Sequence, residues 1–360
     1  MKFCNNCVLP DTRPEIEIYN NGVCSACKNH NYRFIKNWAK RKKVFLDLVK
    51  KIKKNSNNYD CLIPVSGGKD STWQVSMCIK HGLKPLAFTY KPILRTNIGR
   101  KNLDNLLKLG VDHIDFTISR NLEKKLLKKS FYKFGAVGIP MHMAMWSLSF
   151  NLAKIYNIKY IFWGENPAIE YSGTKKNLKI TTLNEKWISK FGISFGMRPE
   201  DWIDKSISKK EMLPLLRDKN YRIKGLFLSD YFKWDPKKIY DYSKKIGFSK
   251  TKKSLTGIYN FADIDDDLIS IHHYLKLYKF GFTRSHDNLS LEIRNKRMSR
   301  KKAIEILESE KNKVPNKQIK KFCKLINISK NEFFKVCEKF RNKNIWKKKK
   351  KKWVLITNLK

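Results

Sequence analysis

Apolar residues in the first half of the chain follow two alternating spacings. Short, nearly continuous apolar runs predict four strands, at residues 59–65, 85–90, 112–117 and 159–163. Segments with apolar positions three and four residues apart predict the helices between them, at about 70–80, 97–110, 120–133 and 141–156. This alternation predicts an α/β fold with a doubly wound parallel sheet, whose ligands bind at the carboxyl ends of the strands.

The pattern divides the chain into three parts. Residues 1–33 are short, Asn-rich and Cys-paired, which indicates a small metal-binding knuckle. Residues 34–175 open with helical spacing at 34–54 and then carry the α/β alternation. Residues 176–360 change to aromatic-rich, mainly helical segments and end in a basic tail. We therefore predict a knuckle, a nucleotide domain, and a helical region that binds substrate or partner. The block Lys347–Lys352 is expected to be a solvated surface turn.

The segment "LIPVSGGKDST" at residues 62–72 carries the chemistry of a phosphate site. Adjacent glycines allow backbone N–H groups to approach an anion, and the following helix directs its positive end to the same place. An acid in an anion site is explained if it holds Mg²⁺, and Asp70 is the candidate. The spacing is not that of a Walker A loop. The predicted ATP-binding residues of this segment are Ser66, Gly67, Gly68, Lys69, Asp70, Ser71 and Thr72.

Four cysteines lie in the first 27 residues, as the pairs Cys4/Cys7 and Cys24/Cys27. The sixteen residues between the pairs fit a two-knuckle Cys₄ zinc site, in which four thiolates close the coordination shell. We predict a structural zinc rather than a catalytic one; disulfides and thiol-transfer chemistry are the alternatives.

Composition adds a strong positive charge. The formal net charge is +45, which is typical of nucleic-acid binders, but only 14 of the 77 basic residues are Arg. An excess of Lys, Asn and Ile along the whole chain is more typical of AT-rich coding bias, so binding of nucleic acid is not expected. The sequence contains no apolar run of 18 residues and no signal-peptide pattern, and we expect a cytoplasmic protein without membrane insertion.

The segment Ser-Gly-Gly-x-Asp-Ser after a first strand resembles the PP-loop of the ATP pyrophosphatases, a superfamily of adenine nucleotide alpha hydrolase-like fold. The resemblance implies that ATP is split to AMP and PPi while an acceptor oxygen is adenylated. It implies catalytic roles for Lys69 and Asp70 and does not identify the acceptor.

A longer, ordered set of motifs resembles the N-acetyl sugar amidotransferases of surface-polysaccharide (LPS O-antigen type) biosynthesis. The set comprises "CNNCVLPDTRP", "GVCSAC", "PVSGGKDST", "IFWGENPAIEYSG", "DIDDD" and "FGFTRSHDNLSLEIRNKRMSR". The resemblance implies an ATP-dependent ligase-type enzyme that converts an N-acetyl group of a sugar, free or carried on a nucleotide, to an acetamidino group. It also implies that ammonia comes from separate glutaminase and synthase subunits resembling the histidine-pathway pair.

Two other functions remain open. Enzymes that thiolate tRNA or form lysidine combine a knuckle, a PP-loop domain and a basic surface, although the helix that begins "GIPMHMAMW" lacks the Cys that thiolation enzymes usually carry. A zinc-ribbon protein that binds nucleic acid without catalysis is the third candidate, and the intact loop argues against it.

Further candidates follow the other strands. Gly164 and Glu165 end the fourth strand, and Glu165 is the third predicted catalytic residue. Thr89, at the end of the second strand, is a candidate for adenine binding. The candidate substrate residues, each with a structural alternative, are His142, Asn166, Glu170, Tyr171, Arg284 and Arg294. Asn166 before Pro167 also suits a helix cap. The acidic group at 263–267 could bind Mg²⁺ or begin a helix.

Overall fold

A six-stranded sheet lies at the centre of the protein. The computed structural model describes residues 1–35, 37–56, 58–172, 182–217, 222–310, 313–350 and 352–356. The strands are β1 (Cys61–Pro64), β2 (Pro85–Tyr90), β3 (Asp112–Phe116), β4 (Tyr160–Trp163), β5 (Thr182–Leu183) and β6 (Lys224–Phe227). Their order is β3-β2-β1-β4-β6-β5, and every pair is parallel except β5 with β6.

Helices cover both faces of this sheet and make up most of the region that follows it. Those that precede β6 are α1 (Ser25–Ile35), α2 (Trp38–Lys54), α3 (Lys69–Lys80), α4 (Asn97–Leu107), α5 (Arg120–Phe134), α6 (Ile139–Ile155), α7 (Glu185–Phe191) and α8 (Lys209–Met212). Those that follow β6 are α9 (Pro236–Lys245), α10 (Leu268–Phe280), α11 (Arg284–Arg294), α12 (Arg300–Glu310), α13 (Asn316–Ile326) and α14 (Lys330–Lys339). A hairpin of β7 (Trp346–Lys349) and β8 (Lys352–Leu355) follows α14.

The two faces of the sheet pack into separate cores. Leu62 of β1 joins a core with α5, α6 and α7, while its neighbours Cys61 and Ile63 join a core with α2, α3 and α9. Successive side chains of a strand point to opposite faces, so a strand buried on both sides is apolar throughout. This explains why the strands are continuous apolar runs in the sequence. The predicted doubly wound α/β fold is confirmed.

The strand order reverses between β1 and β4, which are neighbours in the sheet although two strands separate them in the chain. Helices leave these strands toward opposite faces, and the divergence opens a crevice at their carboxyl ends. The phosphate loop follows β1, and Gly164-Glu165 follows β4. The topology therefore brings the two predicted motifs to one edge of the sheet.

The helical region packs against the edge of this domain. Leu127 and Phe131 of α5 form a core with α10, α13 and α14. The chain between α9 and α10 returns to the sheet, where Thr96 N donates to Asp265 O at 2.9 Å and Thr96 Oγ1 donates to Ile264 O at 2.5 Å. Residues 263–267 are thereby fixed beside the carboxyl end of β2.

Two features differ from the sequence prediction. The sheet takes two strands, β5 and β6, from the part of the chain predicted to be mainly helical. The predicted boundary at residue 175 lies outside the described residues, and the division into domains stays a prediction. The described residues of the Lys block are exposed, as predicted, but most of them form the strands of the β7–β8 hairpin and only its tip is a turn. Trp346 and Trp353 of that hairpin lie 4.6 and 5.0 Å from the guanidinium of Arg341 and hold it in place.

Within the described residues we find no helix long and apolar enough to cross a bilayer.

Candidate active site

A cavity of about 400 Å³ opens at the point where the strand order reverses. Its floor is the phosphate loop and Gly164-Glu165, and its remaining walls come from the loop after β2, from α6 and from the helical region. Of the predicted site residues, those that line it are Ser66, Gly68, Lys69, Asp70, Ser71, Thr89, His142, Gly164, Glu165, Tyr171 and Arg284.

The conformation of the phosphate loop depends on Gly67. Its φ is +81°, and a Cβ at this position would come within 2.4 Å of the backbone nitrogen of Leu103. A side chain would therefore be both strained and obstructed. Gly67 does not line the cavity; its role is to turn the chain against α4 so that Gly68 can begin α3. The helix N-terminus then faces the cavity with its partial positive charge.

Hydroxyl groups stabilise the same turn. Ser71 Oγ and Thr72 Oγ1 each donate to Gly68 O at 3.0 Å, and Ser66 Oγ accepts from Gly68 N at 3.3 Å. Thr72 is buried and does not line the cavity, so its contribution is to the loop. Ser66 and Ser71 do line it and can turn their hydroxyls toward a phosphate.

Lys69 and Asp70 form an ion pair at the start of α3. Lys69 is only 5% exposed, and its ammonium also lies 5.9 Å from the ring of Trp234. Trp234 Nε1 donates to Asp70 Oδ1 at 3.0 Å, which fixes the carboxylate at the cavity wall. A buried ammonium with one carboxylate partner retains donors for an anion. Trp234 was not predicted, because nothing near residue 234 in the sequence indicates that it meets the phosphate loop.

Glu165 lies opposite this pair. Removal from water and, after it, the negative charge of Asp70 raise its pKa to about 7, against the lowering effect of Lys69. A carboxyl group whose pKa is raised by a neighbouring carboxylate lies in a suitable environment for a cation, which would relieve the repulsion between them. Asp70 is therefore the residue that would hold Mg²⁺, and that ion would neutralise charge on the phosphates of ATP, while Glu165 stays available for proton exchange.

The raised pKa of Glu165 predicts a pH effect on the ligand-free protein. A carboxyl whose pKa rises on folding contributes most to stability below its unfolded pKa, and that contribution is lost as pH rises. Here the window runs from about 4.5 to about 7. In thermal unfolding across this window, the wild type should lose stability relative to Glu165→Gln.

The control is Glu305→Gln, on the exposed face of α12. It should follow the wild-type pH curve. Parallel curves for wild type and Glu165→Gln would contradict the assigned environment.

Acidic residues of the segment before α10 form the wall beside the phosphate loop. Asp263, Asp265 and Asp266 line the cavity, whereas Asp267 pairs with Lys321 and lies at the start of α10. Burial raises the pKa of Asp265 and raises that of Asp266 to about 8. Three members of the acidic group therefore face the cavity and one lies at a helix start, while Mg²⁺ binding by this group stays a prediction.

Arg284 at the start of α11 faces the same wall. Its Nε donates to Asp263 Oδ2 at 2.8 Å, and its guanidinium lies 5.6 Å from the centre of the Tyr171 ring. Arg13, from the N-terminal segment, lies over the same ring at 5.6 Å and donates to Asp287 Oδ1 at 2.8 Å. The ring of Trp234 lies 6.2 Å from the same ring. Three distant parts of the chain therefore meet around Tyr171, represented by Arg13, Trp234 and Arg284.

Aromatic side chains form the wall opposite the acidic residues. Trp146 and Trp163 lie 4.4 Å apart, and Trp187 packs on Trp146 at 5.4 Å. Such a wall offers flat apolar surface to the C–H face of a sugar or to a base.

His142 lies at this side of the cavity. Its Nδ1 donates to Gly138 O at 2.7 Å, because a carbonyl can only accept, and Nε2 of the neutral ring is left as an acceptor. Burial lowers the pKa of His142 to about 4. The ring is therefore neutral at physiological pH, and it can orient a ligand N–H but is a weak base.

Thr89 lines the cavity, but its hydroxyl is already used. Thr89 Oγ1 lies 2.8 Å from Val65 O and 2.9 Å from His113 Nε2. The hydroxyl therefore ties β2 to the strand end of β1. Any contact with adenine at this position comes from the backbone.

Three predicted substrate residues do not line the cavity. Asn166 is fully buried and its Oδ1 accepts from Ala168 N at 3.2 Å, which is the capping role given as its alternative. Glu170 is also buried, and its carbonyl accepts from Arg294 Nη2 at 3.2 Å. The expectation that Arg294 binds substrate directly is not met, because its guanidinium lies behind Glu170, beside the cysteine cluster.

The four N-terminal cysteines lie together and are fully or almost fully buried. All four Sγ atoms lie within 4.8 Å of one another, with Cys4 and Cys27 at 3.9 Å and Cys7 and Cys24 at 3.7 Å. Tetrahedral zinc with Zn–S bonds of about 2.3 Å places its sulfurs about 3.8 Å apart. The cluster therefore fits a closed Cys₄ metal site, and it does not have the geometry of disulfides.

The knuckle is attached to the helical region. Arg300 Nε donates to Cys7 O at 3.2 Å, Thr12 Oγ1 donates to Phe280 O at 2.6 Å, and Val8 packs against Leu289 and Ala303.

Burial tends to raise the pKa of Asp287, but Arg13, Lys276 and Arg284 hold it below the ordinary value. The cysteine cluster thus belongs to a segment that reaches Tyr171, at the edge of the cavity, through Arg13.

Comparison with known proteins gives one family match. Residues 254–360 match the model of the LPS biosynthesis protein WbpG-like, C-terminal domain. No curated protein sequence matches the chain.

Two solved structures resemble parts of it. One is the NH3-dependent NAD synthetase from Campylobacter jejuni, with 16% identity and a TM-score of 0.32, covering 46% of this chain and 77% of that chain. The other is NMN synthetase from Francisella tularensis, with 12% identity and a TM-score of 0.31, covering 61% of this chain and 99% of that chain.

The WbpG-like segment contributes one wall of the cavity. It contains Asp263, Asp265, Asp266 and Arg284, which face the phosphate loop. It also contains the motifs "DIDDD" and "FGFTRSHDNLSLEIRNKRMSR", on which part of the resemblance to the amidotransferases rests. The similarity to an LPS biosynthesis protein therefore lies in the segment that carries these two motifs.

Proposed function

We propose that the protein is an ATP-dependent amidotransferase that converts the N-acetyl group of a nucleotide sugar to an acetamidino group for surface polysaccharide. The observation that carries the proposal is that the WbpG-like segment and the phosphate loop line one cavity. A segment similar to an LPS biosynthesis protein thus adjoins the loop that we propose binds ATP, which supports an acceptor used in surface-polysaccharide synthesis.

The first step activates an unreactive amide. The acetamido oxygen attacks the α-phosphorus of ATP, the bond to the β-phosphate oxygen breaks, and PPi leaves. Gly68 N, the N-terminus of α3 and Lys69 surround the place where the departing phosphates gain charge, and such preorganised donors lower the barrier. Ser66 and Ser71 add hydroxyl donors.

The second step replaces the oxygen. Ammonia attacks the carbon of the O-adenylated imidate, the C–O bond breaks, and AMP leaves with the oxygen. Nitrogen loses a proton, and the overall change is amide, ammonia and ATP to amidine, AMP and PPi. Glu165 can accept that proton, since a carboxyl with a pKa near 7 exchanges protons readily at neutral pH.

The acceptor side of the cavity suits a sugar nucleotide. Trp146, Trp163 and Trp187 supply an aromatic face, and His142 supplies an acceptor for an N–H group. The guanidinium of Arg284 lies over the Tyr171 ring, and its Nε donates to Asp263 Oδ2. Its remaining N–H groups can bind a diphosphate or a carboxylate.

The test compares acceptors. UDP-N-acetyl sugars should stimulate PPi release from ATP, and ammonium should then yield an acetamidino product. The lone chain should use ammonium but not glutamine, since we propose that a separate glutaminase and synthase supply its ammonia. Stimulation of PPi release by tRNA and not by the sugars would contradict the proposal and favour a tRNA-modifying enzyme.

A further inference from the structure

A second cavity lies beside the first. Its volume is about 790 Å³, and it is formed by the WbpG-like segment together with Met1 and Phe3. Much of its lining is apolar or aromatic, including Leu277, Tyr278 and Trp353. The reaction steps above do not use it.

The wall between the two cavities is one residue thick. Gly257 lines the second cavity, and a Cβ there would lie 2.2 Å from Asn288 Oδ1 and 2.9 Å from Arg284 Cγ, which both line the first. Thr283 and Ser285, which flank Arg284 in the chain, line the second cavity. His273 completes the contact, with Nε2 3.9 Å from Asp263 Oδ2 across the wall.

Polar atoms without partners lie at this inner end of the second cavity. His273 is 5% exposed and Ser270 is 3% exposed, and neither His273 Nδ1 nor Ser270 Oγ has a hydrogen-bond partner among the described residues. A buried polar atom without a partner is costly, so the pair favours a small ligand that can donate and accept hydrogen bonds. Ammonia has both capacities and fits a passage too narrow for larger groups.

The proposed reaction needs such a passage. Bound ligands are usually buried over roughly 70–90% of their surface, so ATP and a sugar nucleotide would fill the mouth of the first cavity before ammonia is required. Ammonia must then arrive from another side, and the second cavity adjoins the wall that faces Glu165.

We propose that the second cavity is the passage by which ammonia reaches the active site, entering where Gly257 and His273 meet the Arg284–Asp263 pair. This inference rests on the proposed function. Lys276 and Arg284 lie close enough to His273 to lower its pKa, and positive charge at this point disfavours ammonium relative to neutral ammonia, although Asp263 pairs with Arg284 there. Burial keeps His273 neutral by lowering its pKa, so that it can accept a hydrogen bond from ammonia without becoming a second positive barrier.

The experiment narrows the passage without touching the reacting groups. Ser270→Leu adds bulk at the inner end, and Ser270→Ala removes the same hydroxyl without adding bulk. Thr256→Phe, in the loop beside Gly257, is a second obstruction that does not alter a helix core, and Thr256→Val is its control. Each protein is assayed with ATP, an N-acetylated UDP-sugar and ammonium chloride.

Two rates separate the possibilities. Exchange of labelled PPi into ATP requires the sugar but not ammonia, and it should stay near the wild-type rate in all four variants. The kcat/KM for ammonium should fall roughly tenfold or more in Ser270→Leu and Thr256→Phe, a barrier increase of about 1.4 kcal/mol. Thr256→Val should keep the wild-type value, and Ser270→Ala, which removes a hydroxyl that can bind ammonia without adding bulk, should show a smaller fall than Ser270→Leu.

Wild-type ammonium kinetics in an obstructed variant that retains PPi exchange would overturn the passage and leave the proposed function intact. An equal fall in Ser270→Ala and Ser270→Leu would also overturn it, because the effect would then follow the hydroxyl and not the bulk. Absence of sugar-dependent PPi exchange in the wild type would overturn the proposed function, and the passage with it.

Discussion

Replacing Lys69 by Ala should reduce sugar-dependent PPi release about 10- to 150-fold, since a hydrogen bond to a charged group typically contributes about 1.5 to 3 kcal/mol. Lys69 is 5% exposed, lies at the start of α3 and keeps donors directed to the cavity beyond its pairing with Asp70. The measurement is the initial rate of PPi release at saturating ATP and sugar. Asp70→Asn should lower the same rate by loosening the cation site.

The control for Lys69 is Lys80→Ala, at the exposed other end of the same helix. It removes the same side chain and should leave the rate unchanged. Full PPi release by Lys69→Ala would mean that the loop does not bind the phosphates of ATP.

Cys24→Ala should remove zinc from the protein. A closed Cys₄ site cannot keep its geometry with three thiolates, and structural zinc sites contribute about 10 to 16 kcal/mol of apparent binding free energy in isolated fingers. Metal analysis should find about one zinc per chain in the wild type and little in the variant. Thermal stability should fall as well, because the knuckle packs on α11 and α12 through Val8 and Arg300.

Cys337→Ala is the matched control. Cys337 is also fully buried, but it packs with α13 and α14 and lies outside the cluster. It should lose some stability and keep its zinc. Unchanged zinc content in Cys24→Ala would rule out the site.

The sequence predicted the parts of the fold that depend on local patterns. The apolar runs of β1 to β4 and the Gly-Gly turn after β1 are local, and each was found within a few residues of its predicted place. The strand β6 was missed, because four residues with an exposed Lys at one end are too short to distinguish from a helix segment. The spacing of the cysteines was sufficient to predict their cluster, because a Cys₄ site depends on little besides its four ligands.

Residues brought to the site by tertiary contacts could not be predicted in the same way. Trp234 reaches Asp70 from beyond β6, and Arg13 reaches Tyr171 from the knuckle. The motif around Arg284 did indicate a shared site. Arg284 faces the cavity, whereas Arg294, just under three turns later on α11, does not, and spacing alone could not distinguish the two. Asn166 lies next to Glu165 after β4 and still does not line the cavity, because its side chain caps the following turn.

The fate of the acetamido oxygen tests the proposed reaction most directly. An N-acetylated UDP-sugar that supports PPi release is labelled with oxygen-18 at the acetyl carbonyl and incubated with ATP and ammonium. The account predicts that mass spectrometry will find the label in the phosphate of AMP, and that the sugar product will carry NH in place of the labelled oxygen. Unlabelled AMP, with the label still on the sugar, would contradict it.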